Sequence, residues 1–213
     1  MKPPRRFRLT ASTFATGIDV LTSQDPDLDA ICRRFGRPAF RAHPPGFATL
    51  LRIILEQQVS LASARAVFDK LALFAPNLNP GSFLDIDPCE LRRIGFSRQK
   101  QSYCRVLAES VQNGEIDLIA LGRCTDDTVR ARLCAIKGIG PWTAEVYLLT
   151  ALRRADAWPR QDLALIVALQ TVKRLRQRPM PQRMMALAEP WRPWRGVAAR
   201  LLWHHYLQGT APP

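Results

Sequence analysis

Along most of the chain, apolar residues recur at intervals of three and four. This is the spacing of one face of an α-helix, not the alternation of a half-buried strand. Phe47, Leu50, Leu51 and Ile54 fall at i, i+3, i+4 and i+7 behind Pro44-Pro45-Gly46, which predicts a helix starting just past the glycine. Ser60 is placed to cap a second helix carrying Leu61, Ala64, Phe68 and Leu71, ending before Pro76. Short helices are predicted within residues 80–94. Ser97 opens another, with Tyr103, Val106 and Leu107 inward and Asn113-Gly114 at its end. Thr125 followed by Asp126-Asp127 joins a hydroxyl cap to acids at the positive end of the dipole, predicting a helix to about Cys134. Further helices are predicted from Pro141-Trp142, after Pro159, and over roughly residues 193–208. Strand alternation around Asn-Gly or Asp-Gly turns is absent. Only residues 1–22 lack a clear period. There Phe7, Leu9, Phe14, Ile18 and Val20 predict an irregular wrap or a short strand packed on the helical core. The expected fold class is therefore all-α, with residues 1–22 as an irregular segment and residues 23–213 as one helical domain.

Composition adds limits. With 213 residues, 47% hydrophobic and 23% charged, the chain can bury a core and does not have the makeup of a disordered scaffold. No apolar run approaches the roughly 20 residues that span a bilayer. The basic start, Met1 to Arg6, is not followed by an apolar stretch with a small-residue cleavage site, so a cytoplasmic location is expected. Lys and Arg number 31 against 18 acids, a net charge of +13. A surplus of that size points to a polyanionic partner. Nucleic acid is favoured over a membrane surface, because no segment joins a basic face to a broad apolar one. The five cysteines (Cys32, Cys89, Cys104, Cys124, Cys134) form no CxxC pair and match no zinc or iron–sulfur spacing. They are expected as reduced thiols packed like small apolar residues. His43, His204 and His205 suggest a metal or acid–base site only weakly, and the adjacent pair is expected to be structural or DNA-facing.

Candidate chemistry enters with the run Leu133-Cys134-Ala135-Ile136-Lys137-Gly138-Ile139-Gly140-Pro141-Trp142-Thr143-Ala144, which lies between two predicted helices. Two glycines around an aliphatic residue allow a tight turn whose backbone can come close to another molecule. With Ile139 inward, the amides of Gly138 to Gly140 and the next helix start can face outward as anion donors. For an arbitrary GxG a plain helix–helix connection is the better explanation. Here the flanking helix signals and the net charge favour a phosphate grip that reads no sequence. Further on stands Trp158-Pro159-Arg160-Gln161-Asp162-Leu163. On its own, Asp162 reads as a helix cap.

Taken together, Ile136–Ala144 and Pro159–Leu163 resemble the helix-hairpin-helix, Gly/Pro-rich-loop, aspartate signature of base-excision DNA glycosylases, most closely the AlkA-type 3-methyladenine DNA glycosylases. The likeness extends to Ile54-Leu55-Glu56-Gln57-Gln58-Val59-Ser60, to Trp191-Arg192-Pro193-Trp194-Arg195 and to Trp203, covering about residues 24–208. Two features depart from the wider family. The chain is too short for the complete N-terminal β domain that such proteins often carry, and it lacks the cysteine-ligated iron–sulfur cluster of endonuclease III-like relatives.

The resemblance implies a two-lobed helical fold with the DNA and base cleft between the lobes. It implies a monomer acting on damaged double-stranded DNA, and so associated with the nucleoid. The hairpin, with Lys137, Gly138, Ile139, Gly140 and Thr143, binds phosphate. Gln57, Gln58 and Val59 form the minor-groove wedge, with Gln58 filling the vacated space. Trp142 and Trp203 line a π-rich pocket suited to a cationic alkylated purine. Asp162 is the catalytic carboxylate, stabilising positive charge that develops on the sugar and orienting or deprotonating water. Trp142 stands where lyase-competent relatives have a lysine, so a monofunctional enzyme is expected. No cofactor or metal is implied beyond a monovalent cation held by hairpin carbonyls. Excision of oxidised, deaminated or etheno bases, and a non-catalytic DNA-binding protein that keeps the hairpin, are the alternative readings.

Overall fold

A computed structural model describes residues 7–209. These residues form α1 (Ala11–Gln24), α2 (Pro26–Phe35), α3 (Phe47–Glu56), α4 (Leu61–Phe74), α5 (Pro80–Leu84), α6 (Pro88–Ile94), α7 (Arg98–Gln112), α8 (Asp126–Cys134), α9 (Pro141–Thr150), α10 (Leu163–Val172), α11 (Pro181–Ala188) and α12 (Arg195–Gly209). Among the described residues there is no strand, and one isolated antiparallel bridge joins Arg8 to Arg154. Four expected caps form. Ser60, Ser97, Thr125 and Asp162 each accept the amide three residues on, at 3.1, 3.2, 3.3 and 2.9 Å.

The chain divides into two compact units. One holds the described residues up to Ala42 and those from Arg153 onward, and the other is His43–Leu152. This differs from the expected division at residue 22, because the second unit is an insertion between two separated halves of the first.

The first unit also corrects the reading of residues 1–22. Residues 1–6 lie outside the described residues, but Ala11–Gln24 is a regular helix opened by a reciprocal Thr10–Thr13 capping box. Its inward face is Phe14, Gly17, Ile18 and Leu21, a helical period masked in sequence by the glycine. A Cβ on Gly17 would stand 2.7 Å from Trp194 Cε3 and 2.9 Å from Val197 Cγ2, so the glycine is what lets α1 pack at the start of α12. Before the helix, Leu9 N–H donates to the Arg153 carbonyl at 2.7 Å, tying the two halves of the unit together.

In the second unit α3 is the core helix. Phe47, Leu50, Leu51, Ile53, Ile54 and Leu55 are all buried as it packs on α4, α7 and α9. Lys100, on the first turn of α7, donates to the Leu55 carbonyl and sets a positive charge on the carbonyl end of α3. Burial holds the Lys100 ammonium below its ordinary range. The buried Tyr147 hydroxyl accepts the Gly46 amide at 2.9 Å, and burial pushes that phenol up to about 12. On α7 the buried face is Cys104, Leu107 and Ala108, while Tyr103 and Val106 are only half-buried. Leu61, expected inward, is 56% exposed at the first position of α4. The packed-thiol expectation describes Cys104 alone, since Cys89 and Cys134 are exposed, and all five cysteines are unbridged.

Candidate active site

In the first unit, Asp162 ends a loop anchored at several points. Asp156 accepts Arg195 Nε at 2.8 Å and Arg192 Nη1 at 2.5 Å. Trp158, 3% exposed, meets Trp191 edge to face at 5.8 Å between ring centres. Trp191 donates in turn to Asp25 at 2.8 Å, and Asp25 is held by Lys173 at the end of α10. The Trp191–Arg195 segment thus acts as scaffolding behind the loop. The Asp162 amide donates to the Pro159 carbonyl at 2.9 Å, closing the turn.

Asp162 then caps α10 with extended backbone angles (φ −73°, ψ 121°) and only 7% of its surface exposed. One oxygen, Oδ1, accepts two donors. They are the Leu165 amide at 2.9 Å and the Trp203 indole Nε1–H at 3.0 Å. The following residue, Leu163, is 60% exposed, so this oriented carboxylate lies just beneath the surface. The structure therefore brings together Asp162 and Trp203 of the expected residues, and it connects them by a hydrogen bond that their sequence spacing does not reveal. Trp203 is half-buried on α12. His204 donates from Nε2 to the Phe35 carbonyl at 3.2 Å, and burial holds the His205 imidazole below its ordinary range.

In the second unit, α8 and α9 form the helix–turn–helix read from the sequence, clipped across by Arg130 to Glu145. Gly138 has φ +92°, and a Cβ there would meet Tyr103 Cγ at 2.1 Å. Its need for glycine is therefore internal: a left-handed turn pressed against α7. Gly140 differs. It caps α9 without a side-chain cap, and a Cβ there would meet nothing within 4 Å. Its open surroundings and the uncapped first turn of α9 suit an anion. Lys137 is exposed beside it.

Three sequence assignments change here. The Ile139 amide donates to the Ile136 carbonyl at 3.1 Å, so it is not an outward donor, although its side chain is buried as expected. Thr143 is 1% exposed, so its hydroxyl faces the interior and not phosphate. Gln57, expected in the wedge, is half-buried and bonded inward. Its Nε2 donates to both the Gly138 carbonyl and the Thr143 hydroxyl, each at 2.9 Å, and it fastens the end of α3 to the hairpin. Gln58 (φ +57°) and Val59 are exposed on the turn that follows, as a wedge requires. Trp142 is half-buried at the second position of α9. Of the hairpin carbonyls, that of Ile136 accepts the Ile139 amide and that of Gly138 accepts Gln57 Nε2. Among the described residues no group of three or more His, Cys, Asp or Glu could hold a metal ion, and no helix is long and apolar enough to cross a membrane.

Sequence reasoning missed the tasks of Gln57, Tyr103 and Lys100. Each acts on a backbone or glycine that is distant in the chain, and local spacing carries no signal of it.

Comparison with known proteins adds context to this geometry. DNA-3-methyladenine glycosylase 1 of Schizosaccharomyces pombe is 30% identical over 161 residues, covering 74% of this chain and 71% of that protein. YfjP of Bacillus subtilis, described as a putative DNA-3-methyladenine glycosylase, is 26% identical over 162 residues, covering 72% of this chain. The chain spans 56% of the length of that Bacillus protein. The structure of the Schizosaccharomyces pombe 3-methyladenine DNA glycosylase Mag1 in complex with abasic DNA is similar, with a TM-score of 0.80 and 27% identity. It covers 88% of this chain and 95% of that one. The model of the HhH-GPD superfamily of base excision DNA repair proteins matches residues 51–193, a span that takes in the hairpin and Asp162, and the chain belongs to that superfamily.

Proposed function

We propose that this protein is a monofunctional DNA glycosylase. It hydrolyses the N-glycosidic bond of alkylated bases of the 3-methyladenine type in duplex DNA and leaves an abasic site. The observation that carries this reading is the Asp162 carboxylate, 7% exposed yet adjacent to the surface and held at Oδ1 by two N–H donors. The names of similar proteins support the substrate class.

A purine alkylated at N3 carries a positive charge. When its bond to C1′ breaks, the electron pair leaves with the base, which becomes neutral, and the charge passes to the sugar. A fixed carboxylate close to C1′ stabilises that charge more than it stabilises the bound substrate, which lowers the barrier. Water then adds to C1′ and its proton is released. Because the leaving base is already activated, no strong general acid is needed. In this reading Lys137, Gly140 and the first turn of α9 grip a phosphate, Gln58 and Val59 fill the space left by the extruded base, and Trp142 offers a π face to the cation. No primary amine stands at position 142, so strand cleavage through a Schiff base is not part of the reaction.

The test is release of free base from methylated duplex DNA, with strand breaks scored before and after alkali. The wild-type chain is expected to release 3-methyladenine and to give breaks only after alkali. Asp162→Asn preserves a good cap and so the fold, and excision is expected to fall about 10²–10³-fold. Wild-type excision by Asp162→Asn overturns the catalytic assignment, breaks without alkali overturn the monofunctional one, and release of only oxidised, deaminated or etheno bases overturns the substrate class.

A further inference from the structure

We infer that Trp203 serves the reaction through the carboxylate of Asp162, as the residue that sets its orientation, and not as a stacking wall for the base. The inference rests on the reading of Asp162 as the catalytic carboxylate. A cap bond alone fixes a carboxylate loosely, because the side chain can still turn about its Cβ–Cγ bond while one oxygen keeps the Leu165 amide. The indole Nε1–H adds a second donor to that same oxygen from a different helix, 41 residues along the chain. The two donors together restrict the carboxylate plane.

The indole is itself a rigid mount. Leu201 and Leu202 immediately before it are fully buried, and α12 packs along α10, the helix that Asp162 caps. Displacing a reacting group by about 1 Å can cost on the order of 10²-fold in rate. A donor that holds the carboxylate in place is therefore expected to act on the chemical step and not on DNA affinity.

Trp203→Phe separates the two roles, since phenylalanine keeps an aromatic face and lacks the N–H. Replacing Trp203 by 3-benzothienylalanine keeps the whole bicycle and removes only the donor, so it reports even where the phenylalanine variant is poorly folded. Both are assayed by single-turnover excision on methylated duplex and by affinity for duplex containing an abasic-site analogue. The expected result is a rate loss of about 10- to 100-fold, with affinity within about twofold of wild type. A stacking wall predicts the opposite pattern: affinity or KM worsens while the chemical rate holds. Wild-type excision by the benzothienyl variant overturns the inference.

Asp162→Asn assayed beside them keeps the two readings distinct. If it excises normally, the glycosylase assignment of Asp162 fails. If it is inactive while the donor-free variants are normal, only the present inference fails. In the Asp162→Asn background, loss of the Trp203 donor is expected to change the residual rate less than twofold, because groups that act as one unit are not additive. A full additive loss overturns the inference.

Discussion

Gly138→Ala is the sharpest test of how the hairpin is built. The backbone at Gly138 has φ +92°, where an L side chain is strained by about 1–2 kcal/mol. The new methyl also has nowhere to go. An ideal Cβ lies 2.1 Å from Tyr103 Cγ, 2.5 Å from Cδ1 and 2.6 Å from Cβ. These atoms are the stem and near edge of the ring, so rotating the far end of the side chain does not relieve the contact. Either α7 or the turn must shift, and overpacking of this kind typically costs about 1–3 kcal/mol. The two effects together predict a loss of about 2–5 kcal/mol, since one acts on the backbone and the other on a neighbour. In a chain of this length that is a fall in melting temperature on the order of 10 °C.

Urea unfolding of Gly138→Ala, Tyr103→Ala and the double variant measures both parts. Tyr103→Ala in the Gly138→Ala background should recover the part of the clash made by the ring atoms Cγ and Cδ1, leaving the contact with Cβ and the backbone strain, and giving a coupling of about 1 kcal/mol. Affinity for undamaged duplex should fall with Gly138→Ala, because the turn that presents Gly140 and α9 is displaced. A midpoint indistinguishable from wild type would mean that residue 138 neither adopts this turn nor touches Tyr103, and the construction of the hairpin would have to be abandoned.

Two further predictions concern the supports of the site. Gln57→Leu keeps much of the bulk but leaves the Gly138 carbonyl and the buried Thr143 hydroxyl without their donor. Urea unfolding should show a loss of about 1–3 kcal/mol, and an unchanged midpoint would remove Gln57 as the clamp. Asp25 tests charge. Burial pushes its carboxyl up, but the hydrogen bonds from Lys173 and Trp191 outweigh this and hold it below its ordinary 3.8. Lys173, also opposed by burial, is held above its ordinary 10.5 by Asp25 and Asp27. A carboxyl depressed on folding contributes stability above about pH 4 that is lost as pH falls through its folded value. An ammonium raised on folding contributes below about pH 10.5 and loses it as pH rises further. Asp25→Asn keeps the cap and removes the charge, so thermal melts should show a deficit of about 1.5–3 kcal/mol at pH 7 that shrinks towards pH 3. A deficit equal at both pH values refutes the account.

Those features that depend on a few adjacent residues were legible in the sequence. Ser60, Ser97 and Thr125 announce their helices because a cap is a contact with an amide three residues away, and each forms as read. The first helix was not legible, because its inward stripe contains Gly17, which reads as a break in the period and exists to admit Trp194 from near the far end of the chain. The insertion of His43–Leu152 between two halves of one unit was invisible for the same kind of reason. Those halves are joined partly by backbone pairing of Leu9 with Arg153 and of Arg8 with Arg154, through groups that are the same in every residue, and partly by side-chain pairs such as Trp191 with Asp25, 166 residues apart, which local spacing does not announce. The inward bonds of Gln57 were not legible, because a polar residue at the end of a buried helix fits an outward wedge and an inward clamp equally well.

Asp162 shows why a structural and a catalytic reading of one residue need not compete. A capping aspartate must keep one oxygen aimed at the amide three residues on, and Asp162 does so at 2.9 Å. A carboxylate that stabilises charge in a transition state must also be fixed before the reaction begins, so that no free energy goes into orienting it as the charge develops. The cap therefore supplies part of what catalysis asks, and the Trp203 indole adds a second restraint on the same oxygen. Asparagine at this position serves the cap as well as aspartate does, but carries no charge. The fold should therefore tolerate Asp162→Asn while excision does not, a separation that an aspartate serving only as a cap cannot produce.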